Sequence, residues 1–179
     1  MDKLFKNRFR IPSARQKEWD YSSAGAYFIT ICVGGGIHSL GKVDNGVMRM
    51  SEVGKIVAEE WQNTPISRPD MNISLDEFCV MPNHFHAILI IGTNEYNQFN
   101  SKKSQFEPQR KNLASIIRGF KAKVTSRAKK LHPSFAWQPR YYDRIIKDSN
   151  EYKNVRAYIY DNPSTWEKDK YYTIMEQTK

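Results

Sequence analysis

The amino-acid sequence predicts an α+β domain built on an antiparallel sheet, and the order of its elements carries that prediction. Apolar runs of strand length and apolar stripes of helical spacing follow one another as β, hairpin, α, β, β, α, β, α. The chain has 179 residues, enough for one domain with its own apolar core. The expected fold is therefore a ferredoxin-like (split βαβ) palm with an inserted hairpin and an extra C-terminal helix.

Composition favours a polyanionic partner. The formal net charge is +9, the isoelectric point is about 9.5 and 13% of the residues are aromatic. The cations can contact the phosphates of a nucleic acid, and the aromatic rings can stack on its unpaired bases. A helix needs about 18 consecutive apolar residues to cross a membrane, and the sequence has no apolar run of that length. Residues 1–20 lack the apolar segment of a secretory signal. We therefore expect a cytoplasmic protein with no membrane partner.

The first elements are a central strand and a hairpin. Residues 26–33 are β-branched and aromatic, and the glycines at 34–36 end the run, which predicts a strand buried on both faces. Two short apolar runs at 40–43 and 47–50 flank an Asp-Asn-Gly turn, which predicts a hairpin added to the core.

A helix and two strands follow the hairpin. Ser51 is a candidate N-cap, and apolar residues at helical spacing continue as far as Trp61, until Thr64-Pro65 stops the helix. Strands are expected at 73–80 and 84–91, separated by the tight turn of Met81-Pro82-Asn83. Cys32 and Cys79 both lie in strand-like segments and are expected to be buried thiols in a reducing compartment.

A loop and a helix with basic residues come next. Residues 92–111 are polar without periodicity and predict a long flexible loop. The apolar stripe of residues 112–131 predicts a helix that also carries Arg118, Lys121 and Arg127. These cations are either a DNA-binding face or an ordinary solvated face, and Arg127, near the apolar stripe, is the one that solvation explains least.

The last core elements are a strand at 141–146, within the segment 137–147, and a helix. Asp148-Ser149-Asn150-Glu151 matches a capping box, and Pro163 ends the helix. The expected organisation is a basic arm at 1–20, one domain at 21–166 and a C-terminal tail at 167–179.

His84 and His86 begin the second strand of the pair and are two residues apart. Side chains alternate between the faces of a strand, so the two imidazoles point the same way and can converge on one metal ion. The alternative is a pair of histidines whose hydrogen bonds are satisfied within the protein.

Tyr158 and Asn162 are four residues apart on the last helix, so a phenol and an amide project together beside the buried stripe. Taken alone, Tyr158 is equally a boundary tyrosine, and Asn162 an ordinary residue at a helix end before a proline.

Four ordered motifs resemble the REP-associated tyrosine transposases, relatives of the small single-strand insertion-sequence (IS200-like) transposases in the HUH nuclease superfamily. The resemblance extends from about Tyr21 to Trp166, most of the chain. The motifs are Tyr27-Phe28-Ile29-Thr30, Val80-Met81-Pro82-Asn83-His84-Phe85-His86, Trp137-Gln138-Pro139-Arg140-Tyr141-Tyr142-Asp143 and Tyr158-Ile159-Tyr160-Asp161-Asn162-Pro163.

The resemblance implies a single-stranded DNA endonuclease and strand transferase that acts in DNA transposition and recombination. It implies that His84 and His86 hold a divalent ion, Mg²⁺ or Mn²⁺, with Asn162 at the third ligand position. It implies that Tyr158 is the nucleophile, which forms a 5′-phosphotyrosine intermediate. The implied partner is single-stranded or hairpin DNA carrying REP elements, and the implied assembly is a monomer or a homodimer.

Further DNA contacts are expected from the arm residues Arg8, Arg10 and Arg15, although an arm without DNA contacts is equally compatible with the sequence. Two other classes of function remain open at this point. One is a non-catalytic ferredoxin-like module that binds single-stranded nucleic acid, and the other is a metallohydrolase that uses activated water without a covalent intermediate.

Overall fold

The computed structural model describes residues 20–97 and 111–172. Its strands are β1 (Gly25–Cys32), β2 (Gly41–Asp44), β3 (Val47–Met50), β4 (Ile73–Val80), β5 (His84–Ile91) and β6 (Tyr142–Ile146). Its helices are α1 (Glu52–Gln62), α2 (Thr64–Ser67), α3 (Leu113–Ala128) and α4 (Ser149–Asp161), joined by short 3₁₀ turns at Gly34–Gly36, Pro69–Met71 and Trp166–Lys168. The loop residues 98–110 lie outside the described residues, as do the arm at 1–19 and the end of the tail.

Four of the six strands form one antiparallel sheet in the order β4-β5-β1-β6. Strand β1 pairs with β5 from Gly25 opposite Ile91 to Cys32 opposite His84, and with β6 on its other side. The strands that flank α1 in sequence, β1 and β4, are therefore separated in space by β5. This is the split βαβ arrangement, and it confirms the predicted ferredoxin-like palm with an antiparallel sheet.

One face of the sheet holds the main apolar core. Alternate residues of β1 and β5 point to this face and pack against α1 and α3. Three aromatic rings form the centre, with the ring centroids of Trp61 and Phe120 5.2 Å apart and those of Phe85 and Trp61 5.1 Å apart. Because both helices pack here, the whole of this face is covered.

The opposite face carries α4 and only a small apolar cluster. The cluster consists of Phe28, Ile88, Ile146 and Ile159, and Ile159 is the one residue of α4 that is buried. The same face of β5 continues beyond Ile88 as His86 and His84. The helix therefore lies beside two buried histidines.

The hairpin of β2 and β3 is confirmed as an addition outside the four-stranded sheet. Its turn residues Asn45 and Gly46 have φ values of 50° and 74°, the left-handed conformation that these two residue types tolerate.

The first helix ends just before Thr64-Pro65, as expected, but a further short helix follows. Helix α1 ends at Gln62, and Thr64-Pro65 begins the short helix α2. Proline is acceptable in a first helical turn because its missing N–H has no intrahelical acceptor there. The Thr64 hydroxyl donates to the Glu60 carbonyl at 2.9 Å and joins the two helices.

The strand predicted at 141–146, within the segment 137–147, agrees with β6 to within one residue. Trp137 forms only an isolated bridge with Val33, and β6 begins at Tyr142. Pro139 has no N–H to donate, and Arg140 has a φ of 69°, so a continuous ladder is interrupted between them.

Two further expectations concern the thiols and membrane spans. Cys32 and Cys79 are both free and partly buried, and burial raises the pKa of the Cys79 thiol to about 12. In the described part of the chain there is no helix long and apolar enough to span a membrane.

Two helical glycines allow a matched test of the packing. A Cβ at Gly54 in α1 would lie 2.1 Å from the Leu40 carbonyl oxygen, whereas a Cβ at Gly119 in α3 would meet no atom within 4 Å. Because backbone cannot give way easily, we expect Gly54→Ala to lower the free energy of unfolding by about 2 kcal/mol or more. Gly119→Ala should raise it by about 0.5–1 kcal/mol, since alanine favours helix. Urea denaturation measures both, and equal stabilities would contradict the close approach of α1 to Leu40.

Candidate active site

The histidine pair lies at the start of β5, on the sheet face that carries α4. Both side chains are fully buried, and their ring centroids are 4.4 Å apart. The turn before them closes through a hydrogen bond of 2.8 Å from the Met81 N–H to the His84 carbonyl. The strand alternation expected from the sequence therefore holds, and the two imidazoles converge.

Each imidazole is oriented by a hydrogen bond at Nδ1. The Nδ1 of His84 lies 2.9 Å from the Asn83 Oδ1, and the Nδ1 of His86 lies 2.8 Å from the Thr30 hydroxyl. The Asn83 amide is itself fixed, because its Nδ2 donates to the Tyr171 carbonyl at 2.9 Å. An amide oxygen can only accept, so His84 carries its proton on Nδ1 and presents a lone pair on Nε2.

Burial keeps both imidazoles neutral. It lowers the pKa of His84 to about 4, and the negative charge of Asp169 offsets only part of that effect. Burial also lowers the pKa of His86 well below its ordinary value, and the neighbouring His84 adds to the shift. A neutral imidazole is the form in which histidine binds metal.

Helix α4 brings Tyr158 and Asn162 to the pair. The Tyr158 hydroxyl lies 3.3 Å from the His86 Nε2, and its side chain remains 41% exposed. Asn162 caps the C-terminal end of the helix and is 1% exposed. Its Oδ1 is buried and has no hydrogen-bond partner among the described residues, as is also true of the His84 Nε2. All four residues singled out from the sequence therefore meet at one place.

Asp169 is a member of the site that the sequence analysis missed. Its Oδ2 accepts from the Tyr158 hydroxyl at 3.0 Å and from the Asn162 Nδ2 at 2.8 Å. Burial opposes ionisation of this carboxyl, but the hydrogen bonds from Asn162 and from the Tyr171 N–H outweigh it, so the pKa of Asp169 is lowered. The same negative charge, together with burial as the larger cause, raises the pKa of Tyr158.

The residues just before the end of the described chain cover the histidine pair. The Tyr171 ring centroid lies 4.7 Å from that of His84 and 6.0 Å from that of His86. The expectation of a tail at 167–179 took no account of this packing. No periodicity marks the segment, so the only sequence signal was the local concentration of Asp169, Lys170, Tyr171 and Tyr172 after the last helix.

The donor atoms fit a divalent ion. One donor atom each of His84, His86 and Asp169 lie within 4.8 Å of one another, and the unpartnered Oδ1 belongs to Asn162, whose Nδ2 donates to Asp169. Two nitrogens with one or two oxygens suit a first-row divalent ion such as Mn²⁺ and leave positions for other ligands. The carboxylate of Asp169 is thus a second candidate for the third ligand, beside Asn162.

The predicted DNA-binding cations do not lie at this site. Arg118, Lys121 and Arg127 belong to α3, on the other face of the sheet. Arg118 is exposed, while the Lys121 Nζ donates to the carbonyl oxygens of residues 138 and 140, both at 2.7 Å. Arg127 pairs with carboxylates of residues 59 and 60 at 2.8 and 2.7 Å, which accounts for its place near the apolar stripe.

The arm residues Arg8, Arg10 and Arg15 lie outside the described residues. Their contact with DNA therefore stays a prediction, as does contact through the α3 cations.

Two proteins of one organism are similar to this chain in sequence. An uncharacterized protein of Haemophilus influenzae is 38% identical over 167 residues, which cover 89% of this chain and 92% of that protein. A second protein of the same organism, named as a candidate REP-associated tyrosine transposase, is 30% identical over 88 residues, 48% of this chain and 46% of that protein. No protein-family model matches the chain.

A solved structure shares the fold. It is a REP-associated tyrosine transposase bound to a REP hairpin, and it matches with a TM-score of 0.58 and 18% identity over 85% of this chain and 74% of that one. Over about half of its length in sequence, and in its fold, the chain is therefore similar to REP-associated tyrosine transposases.

Proposed function

We propose that this protein is a metal-dependent endonuclease and strand transferase for single-stranded DNA, with Tyr158 as the nucleophile. The observation that carries the proposal is the position of the Tyr158 hydroxyl. It lies 3.3 Å from the Nε2 of His86 and 3.0 Å from the Asp169 carboxylate, and its side chain is open to solvent. A phenol between a metal-ligand pair and a carboxylate is arranged to attack an incoming phosphate.

His84, His86 and Asn162 are the residues that we propose to hold the ion, which is Mg²⁺ or Mn²⁺. A divalent ion bound there would polarise the scissile phosphate and neutralise the charge that develops on its oxygens. The protein holds the two imidazoles in the neutral form through burial and directs their lone pairs through Asn83 and Thr30. Imidazole nitrogens favour Mn²⁺ over Mg²⁺.

Asp169 provides an acceptor for the tyrosine proton. A phenol is a weak nucleophile at neutral pH because its proton stays bound, and burial raises the pKa of Tyr158 further. The Tyr158 hydroxyl already donates to the Asp169 Oδ2. As this proton passes to the carboxylate, the Tyr158 oxygen forms a bond to phosphorus and the bond from phosphorus to the 3′ oxygen breaks.

The products of this step are a 5′-phosphotyrosine and the 3′ oxygen, which takes up a proton from water and becomes a free 3′-hydroxyl. One phosphodiester is exchanged for another, so a 3′-hydroxyl can attack the phosphotyrosine in reverse and join strands without ATP. This reversal is what makes the same centre a strand transferase.

The proposed substrate is hairpin DNA from REP elements. The related transposase of similar fold is bound to a REP hairpin, and the net charge of +9 on this chain suits a nucleic acid. Tyr158 and His86 of one chain lie within 3.3 Å, so we propose that one chain acts in cis, as a monomer. We place its action in the cytoplasm, at the nucleoid.

Metal binding is tested by calorimetry with Mn²⁺. His86→Ala should weaken the affinity at least about tenfold, because a ligand nitrogen is lost. The exposed His132 provides a control, and His132→Ala should bind as the native protein does. Asn162→Ala should weaken binding more than Asp169→Asn if Asn162 is the third ligand. The reverse order would transfer that role to Asp169, and unchanged affinity in His86→Ala would exclude the site.

The nucleophile is tested by a covalent adduct on denaturing gels. A single-stranded REP hairpin incubated with Mn²⁺ should link to the native protein and not to Tyr158→Phe, which lacks the attacking oxygen. Tyr160→Phe is the matched control, since Tyr160 lies two residues away and is 74% exposed. An adduct that persists in Tyr158→Phe would assign the nucleophile to another residue. Cleavage without any adduct in the native protein would favour attack by water.

The proton acceptor is tested by single-turnover cleavage. Asp169→Asn keeps the shape of the side chain but removes its basicity, so the rate should fall about a hundredfold or more. Asp161→Asn, on the exposed end of the same helix, should leave the rate unchanged. A rate for Asp169→Asn within about threefold of the native value would show that Asp169 does not take the proton.

A further inference from the structure

A cleft of about 720 Å³ opens beside His86 and Tyr158, between the edge strand β6 and the first turns of α4. The size falls within the about 300–1,000 Å³ that small-molecule sites usually occupy. The chemistry assigned to Tyr158 and the metal ligands uses only one end of the cleft. The remainder has no role in the reaction as proposed.

One wall of the cleft is aromatic. Phe28 forms its floor, with edge-to-face contacts to Tyr142 at 6.5 Å and to Tyr158 at 6.0 Å between ring centroids. Tyr142 is 42% exposed, although it stands on the sheet opposite the buried Thr30. An exposed ring at the edge of a sheet, next to the nucleophile, is a surface on which an unpaired base can stack.

The other wall is a stripe of amides on α4. Asn150, Asn154, Tyr158 and Asn162 follow one another at intervals of four residues, so they lie along one side of the helix. Asn150 and Asn154 both line the cleft, and their side chains make no hydrogen bonds in the described part of the chain. An asparagine amide offers a donor and an acceptor side by side, the pattern that pairs with the edge of a base.

The charges in the cleft favour a base over a phosphate. Arg144 forms an ion pair of 2.6 Å with Glu151, so its charge is compensated. Asp148 accepts from the backbone N–H groups of residues 150 and 151, at the N-cap of the helix. Lys170 is the remaining cation, with its Nζ 5.1 Å from the Tyr142 ring centroid. With two cations and two carboxylates the lining is nearly neutral, which suits an uncharged heterocycle better than an anion.

We propose that this cleft binds one unpaired nucleobase next to the scissile phosphate. Tyr142 stacks on the base, and Asn154, assisted by Asn150, hydrogen-bonds to its edge. The ammonium of Lys170 lies where it can pair with the backbone phosphate of the same nucleotide. The inference rests on the proposed function, because it takes the attacked phosphate to lie at Tyr158, and it makes the protein itself a reader of the sequence at the cleavage point.

The first test measures the preference for the bases beside the cut. REP hairpins that carry each of the four bases at each position flanking the scissile phosphate are cleaved with Mn²⁺. The native protein should prefer one base at one of the two positions. Asn154→Ala should reduce the preference there to within about twofold, because the edge contact is lost. Lys153→Ala, on an exposed part of the same helix, should keep the preference. An equal preference in Asn154→Ala and in the native protein would overturn the proposal.

The second test measures stacking without cleavage. The hairpin carries 2-aminopurine beside the scissile phosphate, and the protein carries Tyr158→Phe so that no adduct forms. Binding should quench the fluorescence of 2-aminopurine, and adding Tyr142→Ala should remove the quenching and weaken binding about fivefold or more. Adding Tyr160→Ala should leave both unchanged. Quenching that is independent of Tyr142 would overturn the proposal.

The two tests separate this inference from the proposed function. Quenching that depends on Tyr142, without an adduct in the native protein, would support the base site and contradict the covalent mechanism. Adduct formation with no base preference and no quenching would leave the covalent mechanism standing and overturn the base site.

Discussion

The candidate site depends on the hydrogen bonds at Nδ1 of the two strand histidines. Asn83 and Thr30 each occupy one Nδ1, so each ring keeps its Nε2 available, and that of His86 lies 3.3 Å from the Tyr158 hydroxyl of α4. Without these partners a buried imidazole could turn its ring or exchange tautomers, and the lone pairs would not converge. The register of β5 against β1 adds the second constraint, because it sets His86 opposite Thr30. A shift by one residue would move both histidines into the apolar core.

The position of α4 is the second condition. Ile159 is the fully buried residue that packs this helix onto Phe28 and Ile88, and Tyr158 and Asn162 project together beside that contact. Tyr152 and Val155 add apolar contacts earlier in the helix, and the Tyr152 hydroxyl also donates to the Asp76 carboxylate. The fully buried contact lies next to Tyr158, so it fixes the position of the residue for which we propose the chemistry.

Much of the fold could be predicted because its strands and helices follow local patterns of apolar residues and capping residues. Strands β4 and β5 begin and end where the apolar runs do, and Ser51 and Asp148 cap their helices as expected. The local patterns did not indicate the isolated bridge of Trp137 with Val33, which is separated from β6 by Pro139 and by Arg140 with its positive φ.

The sequence by itself determined the strand that presents His84 and His86 and the helix stripe that presents Tyr158 and Asn162, because both follow from the period of one element. Only the tertiary structure decided the role of Asp169, the direction of the histidine lone pairs and the cleft beside Tyr142. Each of these arises from contacts between separate segments of the chain, such as the Asn83 amide with the Tyr171 carbonyl. The periodicity of a single element carries no information on such contacts. The sequence therefore indicated the histidine pair and the Tyr158-Asn162 pair separately, and only the tertiary structure brought the two pairs together.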